Sequence, residues 1–392
     1  MIVKRLVRYL RRFAVRNLAR MSMLLHKPQN IALVYGAPDY EENSLVTALR
    51  LSQRYQGQIV LVCHNPEKTQ RYLSTVSEAI GGNPAAIDCV QMNRWKVLWS
   101  HYGPAQLVFY THGMFFSPKS IGKRLHINLW HGTGPKLASN KNFKSAFDAD
   151  ALSSASPVWG ESTAQSLRMS TKRVIAGNAR ADLLERSDQV RSRLGWEEKV
   201  VLWLPTYRRS TEVSIGTLAE GKTFVSKHAV QLSEHAAAHN IRLIAKPHPF
   251  DAEQLTDLGV EVITSAEIWD NEITNSQLIA AADGVISDYS SAWVDALIAN
   301  VPVALYCPDL AQYVADRGFN QPTMDQVAKH IFIDSTSMSE FFQAISAGQP
   351  FRADAQTQIK ETLKLSPGPR ADQMLDQVRD LAQSLKDFSI EL

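Results

Sequence analysis

The 392-residue chain has little cysteine, no long apolar run and, over its first thirty residues, no acid at all. Its three cysteines, Cys63, Cys89 and Cys307, show no CxxC spacing. So sparse and odd-numbered a set excludes a disulfide framework and a thiolate zinc site, and reads as small buried side chains in a reducing compartment. No HExxH, no GxSxG and no GxGxxG after the first strand occurs. Zinc peptidases, elbow-type hydrolases and dinucleotide oxidoreductases are therefore disfavoured. A membrane-spanning helix needs about 20 apolar residues, and no such stretch is present. Aromatic and basic residues are not interleaved, so nucleic acid is not an expected partner.

The missing acid at the N-terminus is informative because Lys4, Arg5, Arg8, Arg11, Arg12, Arg16, Arg20 and Lys27 all fall there, in a chain of net charge only +3. The body beyond is mildly acidic. At about 100° per residue, Val3, Leu6, Val7, Leu10, Phe13, Ala14, Leu18, Met21, Leu24 and Leu25 share one face. The pattern predicts a basic amphipathic helix over residues 1–27, lying on an anionic membrane surface. Arginines interrupt it too often for a signal-peptide core. A transit peptide, or a helix packed on its own body or on a partner, fits the same pattern. With the first strand starting at Ile31, residues 1–27 are expected to be removable without unfolding the rest.

From residue 31 onward, apolar strand-like runs alternate with amphipathic helical ones, which predicts parallel, doubly wound sheets. Ile31–Tyr35, Gln58–Cys63, Ala86–Gln91, Leu107–Thr111 and Ile127–Trp130 form a first series. A second is expected from Val174, through Val200–Pro205, Ile241–Lys246, Val260–Thr264, Gly284–Ser287, Val303–Tyr306 and Ile331–Ile333. The fold class is thus α/β and GT-B-like: two Rossmann-like domains facing a cleft, plus the N-terminal helix. The expected divisions are residues 1–27, an N-terminal Rossmann-like domain at 31–165, a C-terminal Rossmann-like domain at 166–370, and a C-terminal helix at 371–392 that crosses back to the first domain.

Two stretches carry the chemistry. His131 follows an apolar run and opens the turn Gly132-Thr133-Gly134-Pro135-Lys136, where the glycines permit close approach of a ligand. An imidazole there is suited to accept a proton from an alcohol. Ser290 and Ser291 follow Asp288-Tyr289 at a predicted helix start, a place that favours phosphate through backbone N–H groups and the helix dipole. Both could instead be local caps. Lys246-Pro247-His248-Pro249 and Pro205-Thr206-Tyr207-Arg208 close further strands at the sheet edge where α/β proteins bind ligands. Asp148-Ala149-Asp150 has the DxD spacing of metal-dependent transferases but follows a polar stretch, so a loop is expected there, and no metal site.

In order, the His-Gly-Thr motif, Gly177-Asn178-Ala179-Arg180-Ala181-Asp182, Pro205-Thr206-Tyr207-Arg208, His248-Pro249 and Asp288-Tyr289-Ser290-Ser291 resemble the CDP-glycerol glycerophosphotransferase family of teichoic acid and capsule synthesis. The chain has HGTGPK and ARAD where that family commonly has HGTPLK and PRND. The resemblance implies a GT-B fold, a CDP-alditol donor, a polyprenyl-linked acceptor, no cofactor or metal, and a peripheral location on the cytoplasmic face of the membrane. It implies His131 and His248 as catalytic residues and Ser290 and Ser291 at the donor phosphates. Asp288, Arg208, Lys246 and Thr206 join the donor set, with Gly132, Thr133, Lys136, Arg180 and Asp182 as further candidates. A nucleotide-sugar glycosyltransferase of the same fold and a catalytically silent membrane-attached scaffold are the alternatives.

Overall fold

The computed structural model describes residues 2–139, 147–206, 209–210, 213–214, 218–247, 255, 260–365, 370–386 and 390–392. The chain forms two compact units. The first comprises Met1–His131, Ser145–Asp182 and Ser366–Leu392; the second comprises Gly132–Lys144 and Leu183–Leu365.

The first unit is built on seven strands: β1 (Gln29–Tyr35), β2 (Gln58–Cys63), β3 (Ile87–Gln91), β4 (Ala105–Tyr110), β5 (Leu125–Asn128), β6 (Ala151–Ser154) and β7 (Val174–Ala176). They pair in the order β3-β2-β1-β4-β5-β6-β7, every pair parallel. This is Rossmann order, extended by one strand. Ile31 to Val34 and Leu107 to Tyr110 are buried throughout, as central parallel strands covered by helices on both faces must be.

Strand β7 belongs to this first sheet, so the second series begins at Val200 instead of Val174. Three residues are too few to show a period. What holds the strand is distant in sequence: the Gln377 side chain accepts from the Ala176 N–H at 3.0 Å and donates to its carbonyl at 2.9 Å. Gln377 lies on helix Arg370–Lys386, which also receives Arg54 on Asp372 and Asp376 at 3.0 and 2.6 Å.

The second unit holds β8 (Val200–Leu204), the short antiparallel pair β9 (Arg209–Ser210) and β10 (Val213–Ser214), then β11 (Arg242–Ala245), β12 (Glu261–Val262), β13 (Gly284–Ser287), β14 (Val303–Tyr306) and β15 (Phe332–Ile333). Its parallel sheet runs β12-β11-β8-β13-β14-β15, again Rossmann order. Val201, Ile286, Ala304, Phe341 and Phe342 are among the side chains of its core.

Helix α1 (Ile2–Leu25) precedes β1. Its second half is docked on the first unit: Ala19, Ser22 and Met23 are buried, and the Ser22 hydroxyl donates to the Leu98 carbonyl at 2.9 Å. Gly103 packs so tightly there that a Cβ would lie 2.1 Å from Ser22 Oγ. Arg124 donates to the His26 carbonyl at 2.6 Å, closing the helix end onto the body. Removal of residues 1–27 would therefore strip part of the first unit, contrary to the expectation from strand spacing.

The docked face is not the apolar one. Around the helix, Ala19, Ser22 and Met23 lie opposite Leu10, Phe13, Met21, Leu24 and Leu25. That second stripe points outward, with Phe13 59%, Leu24 68% and Leu25 68% exposed. An ordinary amphipathic helix of a globular protein does the reverse. Among the described residues, no helix is long and apolar enough to cross a membrane.

Candidate functional site

In the first unit, β5 ends at Asn128 and the chain turns through Trp130 to His131. Trp130 has φ +53°, a left-handed conformation that costs a bulky residue about 1–3 kcal/mol and persists only when its surroundings enforce it. The enforcing contacts are explicit. The Trp130 N–H donates to the Asn128 side chain at 2.9 Å, and the Asn43 amide donates to the Trp130 carbonyl at 3.4 Å.

Asn43, fully buried in α2 (Glu42–Arg54), also accepts from the Arg180 N–H at 3.0 Å and donates to Glu41 at 2.9 Å. Arg180 in turn donates to the His131 carbonyl at 2.8 Å. The kink thus presents an exposed imidazole at the carboxyl edge of the sheet, held by side chains from three parts of the chain.

Glu41 completes this clamp and has an unusual charge state. Its burial pushes the carboxyl pKa up to about 7, although the Ser44 N–H at 2.9 Å, the Asn43 amide and Arg180 all favour the ionised form. Desolvation outweighs the three together.

The Gly177-to-Asp182 motif is mostly structural knitting around Arg180. Gly177 has φ +119°, and a Cβ there would meet the Arg370 carbonyl oxygen at 2.7 Å. Asp182 accepts from Arg50 at 3.2 Å and from the Arg370 N–H at 2.7 Å, capping the helix that begins there. Its carboxylate ties α2 to that helix; Arg180 alone of the pair reaches the His131 loop.

In the second unit, Asp288 and Tyr289 anchor the serine loop from behind. Asp288 accepts from the Thr206 N–H at 2.9 Å and hydroxyl at 2.6 Å, and from the Ser290 N–H at 3.3 Å. Thr206 therefore serves as a strut. Tyr289 is fully buried, stacks on Tyr313 at 3.7 Å and donates to Asp309 at 2.8 Å. Ser290 and Ser291 are left partly exposed ahead of helix Ala292–Ile298, and Ser291, at its N-cap, makes no side-chain capping bond. The Ser290 hydroxyl accepts from the Ala292 N–H at 3.4 Å, whereas the Ser291 hydroxyl takes no part in the cap.

Gly134 lies directly on this serine pair: a Cβ at residue 134 would fall 2.9 Å from the Ser291 Cβ and 3.1 Å from its Cα. Asn320 holds the turn there, donating to the carbonyls of Gly134 at 2.9 Å and Lys136 at 3.2 Å. Gly132 and Thr133 are buried and Lys136 is partly exposed. The glycine-rich turn and the serine loop, expected in separate domains, thus meet inside one unit, with only His131 on the other side of the division.

Lys246 closes β11 and donates to the Ser265 hydroxyl at 3.4 Å. Arg208 and His248 lie outside the described residues. Asp148 accepts from the Ser170 N–H and hydroxyl, and Asp150 from the His126 N–H at 2.8 Å, so both carboxylates brace loops. Among the described residues, no three His, Cys, Asp or Glu side chains gather as a metal site.

Asn43 and Glu41 were not legible as site residues, since a polar side chain at a helix start reads as a cap, and Asn320 was not because it lies in an irregular segment. His112 was missed, although Thr111-His112-Gly113 repeats at the end of β4 the strand–His–Gly pattern of His131 at the end of the adjacent β5.

Two parallel sheets of Rossmann order in one chain define the GT-B-like class of α/β proteins. Residues 41–378 match the family of CDP-Glycerol:Poly(glycerophosphate) glycerophosphotransferase, and the chain belongs to it. It is 24% identical over 169 residues to the teichoic acid ribitol-phosphate primase of Bacillus spizizenii, covering 41% of each chain. To the teichoic acid glycerol-phosphate primase of Staphylococcus aureus it is 28% identical over 141 residues, 36% of this chain and 32% of that protein. The matches span about two-fifths or less of these relatives' length. The solved wall teichoic acid polymerase TagF shares the fold at TM-score 0.62 and 17% identity, over 98% of this chain and 97% of that one.

Proposed function

We propose that this protein transfers an alditol phosphate, such as glycerol phosphate, from a CDP-alditol to a hydroxyl of a lipid-linked saccharide or a growing teichoic-acid-like polymer. The acceptor oxygen attacks the β-phosphorus, the bond from that phosphorus to the bridging oxygen breaks, and CMP leaves. The proton of the acceptor hydroxyl goes to His131. Ser290 and Ser291 take the diphosphate oxygens through their hydroxyls. Lys246, Lys136, Arg208 and His248 complete the donor side. Fixed donors and cations aimed at a transferring phosphoryl group stabilise the charge that develops there without reorganisation.

The observation that carries this reading is the packing of Gly134 against Ser291. It joins the two motifs that characterise the family into one loop pair ahead of a helix start. Family membership over residues 41–378 favours it over the nucleotide-sugar and scaffold alternatives. Incubating the purified protein with CDP-glycerol, CDP-ribitol and UDP-sugars, each with a lipid-linked disaccharide, tests it by mass spectrometry of the products. An acceptor gaining one or more alditol phosphates with release of CMP is expected; transfer of a sugar only would overturn it.

The outward stripe of Leu10, Phe13, Met21, Leu24 and Leu25 supports a peripheral location on the cytoplasmic face of the membrane, with the exposed Arg11 and Arg20 at its borders favouring anionic lipid. That location would hold the enzyme in the plane of a polyprenyl-anchored acceptor.

A further inference from the structure

Strands β4 and β5 are adjacent and parallel, with Tyr110 in register with Asn128. Each is followed within three residues by a histidine and then a glycine. The two imidazoles consequently meet: His112 and His131 stack with ring centroids 4.6 Å apart and planes inclined by 12°. On its other flank, His131 has the Trp130 ring at 4.2 Å and 39°. The Thr111 hydroxyl, itself buried, lies 2.9 Å from His112 Nδ1 and fixes that ring. Gly113, with φ +79°, turns the chain away where a Cβ would strike the Phe147 ring at 2.4 Å.

We propose that His112 is a positioning residue for His131, its neutral ring fixing the plane of the His131 imidazole and stabilising the imidazolium that forms as the acceptor hydroxyl gives up its proton. The inference rests on the assignment of His131 as the base. A cation over a neutral aromatic face is attracted to it, whereas two stacked imidazolium rings repel, so the pair holds one proton at a time. Which ring takes it follows from the surroundings: although one edge of His112 is open, the protein packed around it disfavours its charged form and lowers its pKa. Among the described residues, Arg180 donates to the His131 carbonyl at 2.8 Å, and Glu41 interacts electrostatically with Arg180. The guanidinium opposes a second positive charge nearby, and the flanking ring faces of His112 and Trp130 offset it.

His112→Leu removes the ring face, and His112→Phe keeps the face without a titrating group. In the full-length protein, the ring-proton NMR titration of His131 and the pH profile of kcat/KM with CDP-glycerol are measured for both. His112→Leu is expected to lower the His131 pKa by about 0.5–1.5 pH units and turnover about three- to thirtyfold, at unchanged donor KM. The acid limb of the profile moves to lower pH by the same amount, and His112→Phe restores both. A His131 titration that does not move in His112→Leu overturns the inference whatever the kinetics show. A titration that moves while the acid limb stays put overturns the assignment of His131 as the base, and the catalytic part of this inference with it, while leaving the ring contact established.

Discussion

Gly134 and Ser291, 157 positions apart, are packed so closely that residue 134 has no room for a methyl group. Gly134→Ala is therefore expected to push the turn off the serine loop. Overpacking of this kind costs about 1–3 kcal/mol, which leaves most of the protein folded. Donor affinity should fall more than stability does. Calorimetry with CMP and CDP-glycerol, alongside thermal melting, separates the two, and an unchanged donor affinity would remove the contact from the site.

Ser290→Ala combined with Ser291→Ala should weaken CDP-alditol binding with little change in melting temperature, because neither hydroxyl is a main support of the helix start. A hydrogen bond to a charged group is worth about 1.5–3 kcal/mol, so each loss corresponds to roughly ten- to a hundredfold in affinity. Asp288→Ala should instead destabilise the loop, since Thr206 and Ser290 both donate to that carboxylate. Equal melting temperatures for the two variants would contradict this division of labour.

Asn43→Ala removes the buried link between α2, the Trp130 carbonyl and the Arg180 backbone. The strained Trp130 should relax and the His131 ring lose its direction. Turnover is expected to drop at least tenfold with donor binding retained, approaching the loss in His131→Ala, for which about a hundredfold is expected of a general base. Steady-state kinetics on the double variant checks the coupling: losses that simply add would mean Asn43 does not act through His131.

Glu41 gives a pH signature. Its pKa is raised from 4.5 to about 7 by burial, so the folded protein binds its proton more tightly than the unfolded chain does. That contribution to stability is fully present below about pH 4.5 and is lost as the pH rises towards 7. Glu41→Gln, which cannot ionise, should lose less melting temperature between pH 5 and pH 8 than the parent protein. Identical pH dependence in the two would show that Glu41 is already ionised at pH 5.

The outward stripe of α1 can be tested without disturbing its anchor. Leu10, Phe13, Leu24 and Leu25 changed together to Ser should leave the melting temperature nearly unchanged and abolish sedimentation with anionic vesicles. Ser22→Leu, a change on the docked face, should do the opposite. High salt should release the parent protein only in part, because it screens the arginines but not the apolar side chains. Retained vesicle binding by the fourfold variant would locate the membrane contact elsewhere.

The parallel α/β layout was legible because buried strands such as Ile31 to Val34 are continuous apolar runs, and the two motif loops were legible because small and hydroxyl residues follow such runs abruptly. Strand β7 was not, since three residues carry no period and its partner Gln377 is 201 positions from Ala176. The amphipathicity of α1 was visible, but which face docks was not: the buried Ala19, Ser22 and Met23 are a minority pattern on a helix dominated by larger apolar residues. Asn43 and Trp130 were hidden for a related reason, because a strained φ and the amide that enforces it leave no mark in composition.

The first unit is discontinuous, and this bears on how the chain is made. Arg54 waits for Asp372 and Asp376, and the edge strand that includes Ala176 waits for Gln377. During synthesis, the second unit can gather its whole sheet while the first still lacks its closing helix. The unit whose central strands are made first is thus the last to be finished. Contacts of such long sequence separation form slowly. A nascent chain halted before residue 370 should hold a protease-resistant second unit and a protease-sensitive first one.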